Sequence, residues 1–499
     1  MYRIIADCIL TLLKKASLLG HAFLTRDALV SQLCETYDLN EGEAEGILDR
    51  ATADGTVIAL DRRIYLPVIA NAEETVADFV SDALSRPPEA VPPLNGTLSL
   101  GAMTLNKEQH RAVRMALSHR LSMVVGSAGT GKSLIVRAIV QCSGDPDACL
   151  LLAPTGKAAH NLAESAGASA STIHSALGIP INGDLTKPNR SLGQYRVVLV
   201  DEASMLTVEM MAGIANAVSD SCKLVLVGDS QQLPPVGCGN LLTDFRSLGV
   251  PYVALKTVYR QSDKESALFY NVTRFPALRN SDMLRSDNSF VYIPSKEADI
   301  AGLVLEMASR WYRASHSTAI LSPFGERTDL SVEHLNHCMQ MELRKPETPC
   351  LDTGGAVLYE HDRVMFTQNN KSEGYFNGQM GKMIVSYNEW GNCVWSVRLS
   401  SGDHVPVTEN NQRQIVPAYA LTIHKAQGSA FDTVILPLSM QFSVMMTRNL
   451  LYTALTRARK QVILIGDLTA VDYALTRPAP ERNTALVERV RERMPALAG

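Results

Sequence analysis

The sequence predicts an α/β protein with two parallel-sheet lobes, a small β-rich insertion in the second lobe, and a helical segment ahead of the first. Three observations carry this reading. From Thr104 onward, short apolar runs alternate with amphipathic stretches, as strands do when helices cross over them. The run "MVVGSAGTGKS" joins an apolar strand to a helix through a glycine-rich loop. The alternation breaks between residues 350 and 412, where "DRVMFTQ", "GKMIVSY", "CVWSVRLS" and "HVPVTE" read as short strands joined by turns at Asn377-Gly378 and Gly402-Asp403.

Bulk properties set the limits. A chain of 499 residues exceeds what one core organises. Apolar residues at 46% and charged residues at 20% fit a soluble globular protein. No apolar run approaches the ~18 residues of a membrane helix. The opening "RIIADCILTLLKK" carries Asp7 and places Ile5, Cys8, Ile9, Leu12 and Leu13 on one helical face, so it reads as an amphipathic helix and not a secretion signal. Nine cysteines without a CxxC pair point to free thiols and a cytoplasmic location. His334, His337 and Cys338 are the nearest approach to a metal cluster, but no second ligand group has matching spacing. A net charge of −4 argues against coating nucleic acid by bulk positive charge and leaves a narrow groove open.

Residues 1–84 read as helices and a small hairpin around Asp61 and Arg62, a winged-helix-like order. Between residues 21 and 70, nine acids stand against four arginines, which favours a scaffold over a duplex-binding surface. Residues 85–103, with "SRPPEAVPPLNGT", form a Pro-rich linker. The first lobe is expected over 104–253 and the second over 254–349 and 413–499, interrupted by the insertion at 350–412.

The glycine-rich loop runs Gly126-Ser127-Ala128-Gly129-Thr130-Gly131-Lys132-Ser133. Its backbone N–H groups can close around a phosphate at a helix N-terminus, with Lys132 reaching the terminal phosphates and the Ser133 hydroxyl offered to Mg²⁺. "RVVLVDEASML" ends a buried strand at Asp201, placed for Mg²⁺, and Glu202, placed to polarise an attacking water. "KLVLVGDSQQLPPVG" is a third such strand, carrying Gln232 as a candidate γ-phosphate sensor.

Here the chain resembles superfamily 1 helicases, particularly the RecD-like branch, for which "GDSQQLPPV" is a selective match to motif III. The resemblance covers about residues 104–475. "TLNKEQHRAV" resembles the Q-motif, with Gln109 reading adenine; the same residues also fit a capping box between Asn106 and Gln109, and spacing does not separate the two. "APTGKAAHNLAE" and "ASTIHSALG" resemble motifs Ia and Ic, which implies single-stranded DNA contacts from Pro154, Thr155, Lys157, Thr172 and His174. "LKTVYRQ" resembles motif IV, placing Arg260 near the γ-phosphate, and "LLYTALTRARKQVILIG" resembles motif VI, with Arg457 as the arginine finger. "YALTIHKAQGSAFDTVILPL" resembles motif V; Gly428 bends the loop at the nucleotide cleft, and Thr422, His424, Lys425 and Ser429 meet DNA. Ala430 stands where relatives often carry a glutamate that tends to contact the nucleotide.

The resemblance implies two RecA-like lobes, an inserted SH3-like barrel over the DNA path, and a strand-separating pin near residues 179–195, where Asn182-Gly183 signals a hairpin or a plain connecting turn. It also implies that the additional N-terminal domains of longer relatives are missing and that no nuclease is attached. The expected function is an ATP- and Mg²⁺-dependent helicase, moving 5′ to 3′ on single-stranded DNA and at duplex junctions. The chain is expected to act as a monomer, with protein partners possible through the N-terminal segment and no membrane contact. The alternatives are a translocase that displaces proteins without unwinding, and a nucleotide-gated binding module.

Overall fold

The computed structural model describes residues 2–91, 99–100, 103–180, 183–259, 265–314, 317–370 and 372–494. At the N-terminus, helices α1 (Tyr2–Leu18), α2 (Arg26–Tyr37) and α3 (Glu41–Ala53) pack on an antiparallel sheet of order β1-β3-β2, formed by β1 (Phe23–Thr25), β2 (Ile58–Leu60) and β3 (Arg63–Tyr65). Thr25 caps α2 and an Asn40–Glu43 capping box starts α3, so side-chain oxygens satisfy backbone donors that the helices leave open. Asp61 adopts φ 53° in the predicted tight turn. The "LPV" expected to extend the second strand instead opens α4 (Pro67–Ser85), because Pro67 at the first helical position lacks a donor the helix would not use. Two-residue strands β4 (Ser99–Leu100) and β5 (Met103–Thr104) follow.

The first lobe alternates as expected: α5 (Lys107–Ser118), β6 (Leu121–Gly126), α6 (Lys132–Cys142), β7 (Cys149–Ala153), α7 (Gly156–Ala166), β8 (Ala170–Thr172), α8 (Ile173–Leu177), β9 (Val197–Val200), α9 (Val208–Ala217), β10 (Lys223–Gly228), α10 (Leu241–Ser247) and β11 (Tyr252–Leu255). All six strands run parallel in the order β11-β6-β10-β9-β7-β8. Strands covered on both faces need apolar residues throughout, and "VVLV" in β9 is buried at every position.

The turn of the hairpin expected near 179–195 falls on Asn182, which with Ile181 lies outside the described residues. Among the described ones there is no strand between α8 and β9. Asp184 instead accepts hydrogen bonds from the backbone N–H and hydroxyl of Thr186. The loop then lies flat on α9: Asn216 Nδ2 donates to Thr186 O, and a Cβ at Gly213 would meet Leu185 O at 2.1 Å.

The second lobe comprises α11 (Ala267–Arg274), β12 (Phe290–Pro294), α12 (Ile300–Ala314), β13 (Thr318–Ser322) and α13 (Val332–Leu343) before the insertion. The insertion begins with the pair β14 (Cys350–Asp352) and β15 (Val357–Tyr359). Five antiparallel strands follow, β16 (Arg363–Phe366), β17 (Met380–Tyr387), β18 (Cys393–Leu399), β19 (His404–Pro406) and β20 (Ile415–Pro417), in the order β19-β18-β17-β16-β20. The predicted strands and turns are in place, although β20 carries the sheet a few residues past 412. The lobe resumes with β21 (Ala420–Thr422), β22 (Phe431–Leu438), α14 (Arg448–Leu455), β23 (Ala458–Gly466) and α15 (Thr469–Thr476), giving a parallel sheet β12-β23-β22-β13-β21.

Two helices pack away from the segments expected to hold them. α4 buries Ile69, Ala72, Val76 and Val80 in the first lobe's core, and α16 (Leu486–Arg493) adds Leu486 and Val490 to that same core. Arg493 Nε meets Asp78 Oδ1 of α4 at 2.6 Å, and Arg489 pairs with Glu74. The tail leading to α16 is tied in as well: Arg482 donates to the carbonyls of Pro235, Gly237 and Gly239, and Ala22 N donates to Asn483 O at 2.7 Å.

Candidate functional site: a cleft between the two lobes

Between the lobes lies a cleft of about 690 Å³, within the range of small-molecule sites. Its floor is the C-terminal edge of the first lobe's sheet. At the end of β6, Gly129 and Gly131 both adopt φ 83°, a conformation open to glycine that turns the loop's backbone inward. The Lys132 ammonium donates to Gly126 O at 2.7 Å and Ser127 O at 3.0 Å, and Thr130 Oγ1 donates to Ser127 O. Ala128, Lys132 and Ser133 line the cleft, while Thr130 is buried behind it.

Asp201 and Glu202, at the end of β9, face the same space. Burial, reinforced by the neighbouring Glu202, pushes the Asp201 carboxyl up to about 6, and Glu202 sits in the left-handed region at φ 51°. An enclosed carboxyl held up in this way gains from a nearby cation. Together with the Ser133 hydroxyl it forms an oxygen donor set that fits Mg²⁺.

Gln232 is 4% exposed; its Nε2 faces Asp229 Oδ2 at 3.4 Å and its carboxamide oxygen has no partner. Gln109 completes the capping box with Asn106, and its Nε2, also without a partner, points at the glycine loop, where a Cβ on Gly131 would lie 2.8 Å away. The capping role is thus present, and the free half of the same amide reaches the cleft floor.

The second lobe supplies the facing wall. Arg457 is 4% exposed, lines the cleft, and is held by Thr453 O, Ser429 O and Thr456 Oγ1. Its guanidinium does not face bulk solvent. Arg260 lies outside the described residues. The motif V stretch divides into β21 and β22, which flank β13, so the chain must cross the end of β13 in consecutive turns. Gly428 makes that bend at φ 71°. Ser429, expected at DNA, is buried on the cleft wall with no hydrogen-bond partner for its hydroxyl, because the turn folds it toward Arg457.

The remaining expected DNA contacts line neither wall of this cleft. Thr155 and Thr172 cap α7 and α8, and Thr422 Oγ1 accepts from Lys425 N, so each hydroxyl oxygen already serves the local backbone. Pro154 is buried, His174 and His424 are half-buried with their imidazoles pushed down by burial, and Lys425 is exposed. Lys157 departs from a free surface contact. The insertion leans on it, with Gly378 against its side chain and Phe376 against Gly156 and His160. Burial, with Arg363 and Arg457 nearby, pushes its ammonium down to about 8.

The lobes are joined by specific polar contacts. Tyr452 donates to Asp229 Oδ2 at 3.0 Å, Leu233 N to Thr453 Oγ1 at 2.9 Å, Asn449 Nδ2 to Gln231 O at 2.9 Å, and Asn161 Nδ2 to Gly428 O at 2.7 Å. Apart from Gly428, none of these residues was singled out from the sequence. Tyr259 was also missed: its ring is 51% exposed at the cleft mouth, anchored by its N–H to Gly129 O and its hydroxyl to Asn106. An aromatic residue directly before Arg260 was the available signal.

A family model described as "AAA domain" matches residues 104–274, and one described as "UvrD-like helicase C-terminal domain" matches residues 417–465. The chain is 29% identical over 502 residues to the ATP-dependent RecD2 DNA helicase of Deinococcus radiodurans, covering 95% of this chain and 66% of that protein. It is 28% identical over 480 residues to the RecBCD enzyme subunit RecD of Mycobacterium tuberculosis, covering 86% and 80%. The chain is similar to RecD-like superfamily 1 helicases. A solved Pif1 helicase from Bacteroides, in complex with ADP-AlF3 and ssDNA, is 21% identical with a TM-score of 0.47, over 78% of this chain and 97% of that one. The chain spans about two thirds of the length of the RecD2 relative it matches.

Proposed function

We propose that this protein is an ATP- and Mg²⁺-dependent DNA helicase that tracks along single-stranded DNA in the 5′ to 3′ direction. The observation that carries the reading is the buried Arg457 facing Lys132, Ser133, Asp201, Glu202 and Gln232 across one cleft. ATP binds with its phosphates in the loop at 126–133; Ser133 and Asp201 would hold Mg²⁺, which would supply positive charge to the phosphate oxygens. Glu202 takes the proton of the attacking water, while Arg457, with Arg260, stabilises charge gathering on the γ-phosphoryl oxygens, a contribution of about 10³–10⁵ in rate. Closure and reopening of the lobes pass single-stranded DNA between Thr155, Lys157, Thr172 and His174 on one side and Thr422, His424 and Lys425 on the other. The inserted sheet acts as an SH3-like cover over this path, and the winged-helix-like N-terminal segment serves as a scaffold. The protein works as a soluble monomer.

Lys132→Ala and Arg457→Ala are each expected to abolish DNA-stimulated ATP hydrolysis while leaving the circular dichroism spectrum intact. Full activity in either variant removes the role given to that residue. Unwinding measured on 5′-tailed, 3′-tailed and blunt duplexes at one stated salt concentration tests direction.

The flat loop at 183–195 favours a second reading, a translocase that displaces bound proteins without splitting duplex. Robust ATP hydrolysis on single strands with no unwinding of any tailed duplex would select it.

A further inference from the structure

The cleft has two mouths. Along the sheet edge, β11 leads to Tyr259, β6 to the glycine loop, β10 to Gln232, β9 to Asp201 and Glu202, and β7 to α7. Neighbouring strands are about 4.8 Å apart, so the cleft floor passes from Tyr259 across the phosphate loop and the acidic pair to α7. Its centre is closed, with Gln232 and Arg457 each 4% exposed. Both ends are open: Tyr259 is exposed at one, and Asn161, Ser165 and Arg459 are exposed at the other. Base and ribose have no use for the second opening, because it lies beyond the acidic pair, on the side away from Tyr259.

Three features at that end suit a small anion. Ser429 Oγ is buried without a hydrogen-bond partner and lines the space. Arg459 lines it, and the acid of α7 that lines the same cleft, Glu164, is paired with His160. Ala430, with only a methyl side chain, lines the same cleft. The opening is also latched: Asn161 of α7 donates to Gly428 O of the facing lobe at 2.7 Å.

We propose that this far mouth is the release port for inorganic phosphate, gated by the Asn161–Gly428 hydrogen bond; the inference rests on the ATPase reading above. In that reaction the water oxygen bonds to the γ-phosphorus, the bond from that phosphorus to the β–γ bridging oxygen breaks, and Glu202 takes the water proton. ADP keeps the bridging oxygen and stays in the loop, closing the way back past Tyr259. The freed phosphate therefore moves toward α7, where Ser429 and Arg459 receive it, and it leaves before ADP once the latch breaks. Breaking the latch separates α7 from the motif V turn, which ties phosphate release to reopening of the lobes.

The test is a single turnover with single-stranded DNA, following cleavage by quenched flow and release with a fluorescent phosphate-binding protein. Ser165→Trp, which narrows the port on the exposed side of α7, is expected to slow release about fivefold or more with cleavage little changed. Asn161→Ala is expected to speed release about fivefold, the worth of one hydrogen bond. Release unchanged in both variants, or release and cleavage slowed together in Ser165→Trp, overturns the port. No cleavage by the unaltered protein overturns the ATPase reading itself, a separate result.

Discussion

The Asp244 carboxyl is buried on α10 with Oδ2 lacking a donor, and burial pushes it up to about 6 from its ordinary 3.8. A carboxyl raised in this way binds its proton more tightly in the folded state, so stability falls as pH rises from about 4 to about 6 and then stays low. Asp244→Asn should therefore stabilise the protein near neutral pH by about 1–3 kcal/mol and have little effect near pH 4; thermal melts at both pH values check this. An equal gain at both would show that charge is not the cause. At this scale the sequence was most legible where chemistry demands contiguous residues. The loop at 126–133 and the pair Asp201–Glu202 lie where their spacing placed them. Tyr259, Asn161 and Tyr452 were not legible, because each matters through a partner more than a hundred residues away. That Ser429 lines the cleft was not legible either, because a turn's direction, and not its composition, decides which side of the loop a hydroxyl faces.

Gly213 of α9 exists to let an element pass. With the carbonyl of Leu185 2.1 Å from where a Cβ would sit, Gly213→Ala must lift the 183–190 loop or shift the helix. The expected cost is about 1–3 kcal/mol of stability, with faster proteolysis confined to that loop; a wild-type melting curve and cleavage pattern would contradict the packing described. The hairpin expected there shows what sequence pattern leaves undecided. Asn-Gly is a sound turn signal, but a hairpin also needs two flanking strands with partners, and Thr186 of the "DLT" segment finds its partner on α9 instead. The insertion carried the stronger signal, since alternating apolar positions in β17 and β18 bury Met383, Trp395 and Val397 in a core of their own.

Across the whole molecule, the chain's two ends meet beside the motif III loop. Arg482 holds the carbonyls of Pro235, Gly237 and Gly239, and Gly239 N donates to Gly20 O. Arg482→Met leaves these carbonyls without their charged donor, and is expected to destabilise the docked tail by about 2–3 kcal/mol, read as earlier proteolysis between residues 477 and 485. Unchanged cleavage there would mean that α16 alone holds the tail. Helix α16 looked like part of the second lobe because it follows that lobe in sequence; its apolar face, with Leu486 and Val490, was equally compatible with either lobe until α4 offered the matching surface.

This return of the chain has a mechanical meaning. The polypeptide leaves the first lobe after Leu255 and is pinned to it again at Arg482, so two backbone attachments hold the second lobe besides the hydrogen bonds across the cleft. A door on two pins swings about the line joining them and resists sliding or twisting. A thread pinched between such leaves is drawn along the same arc at every swing.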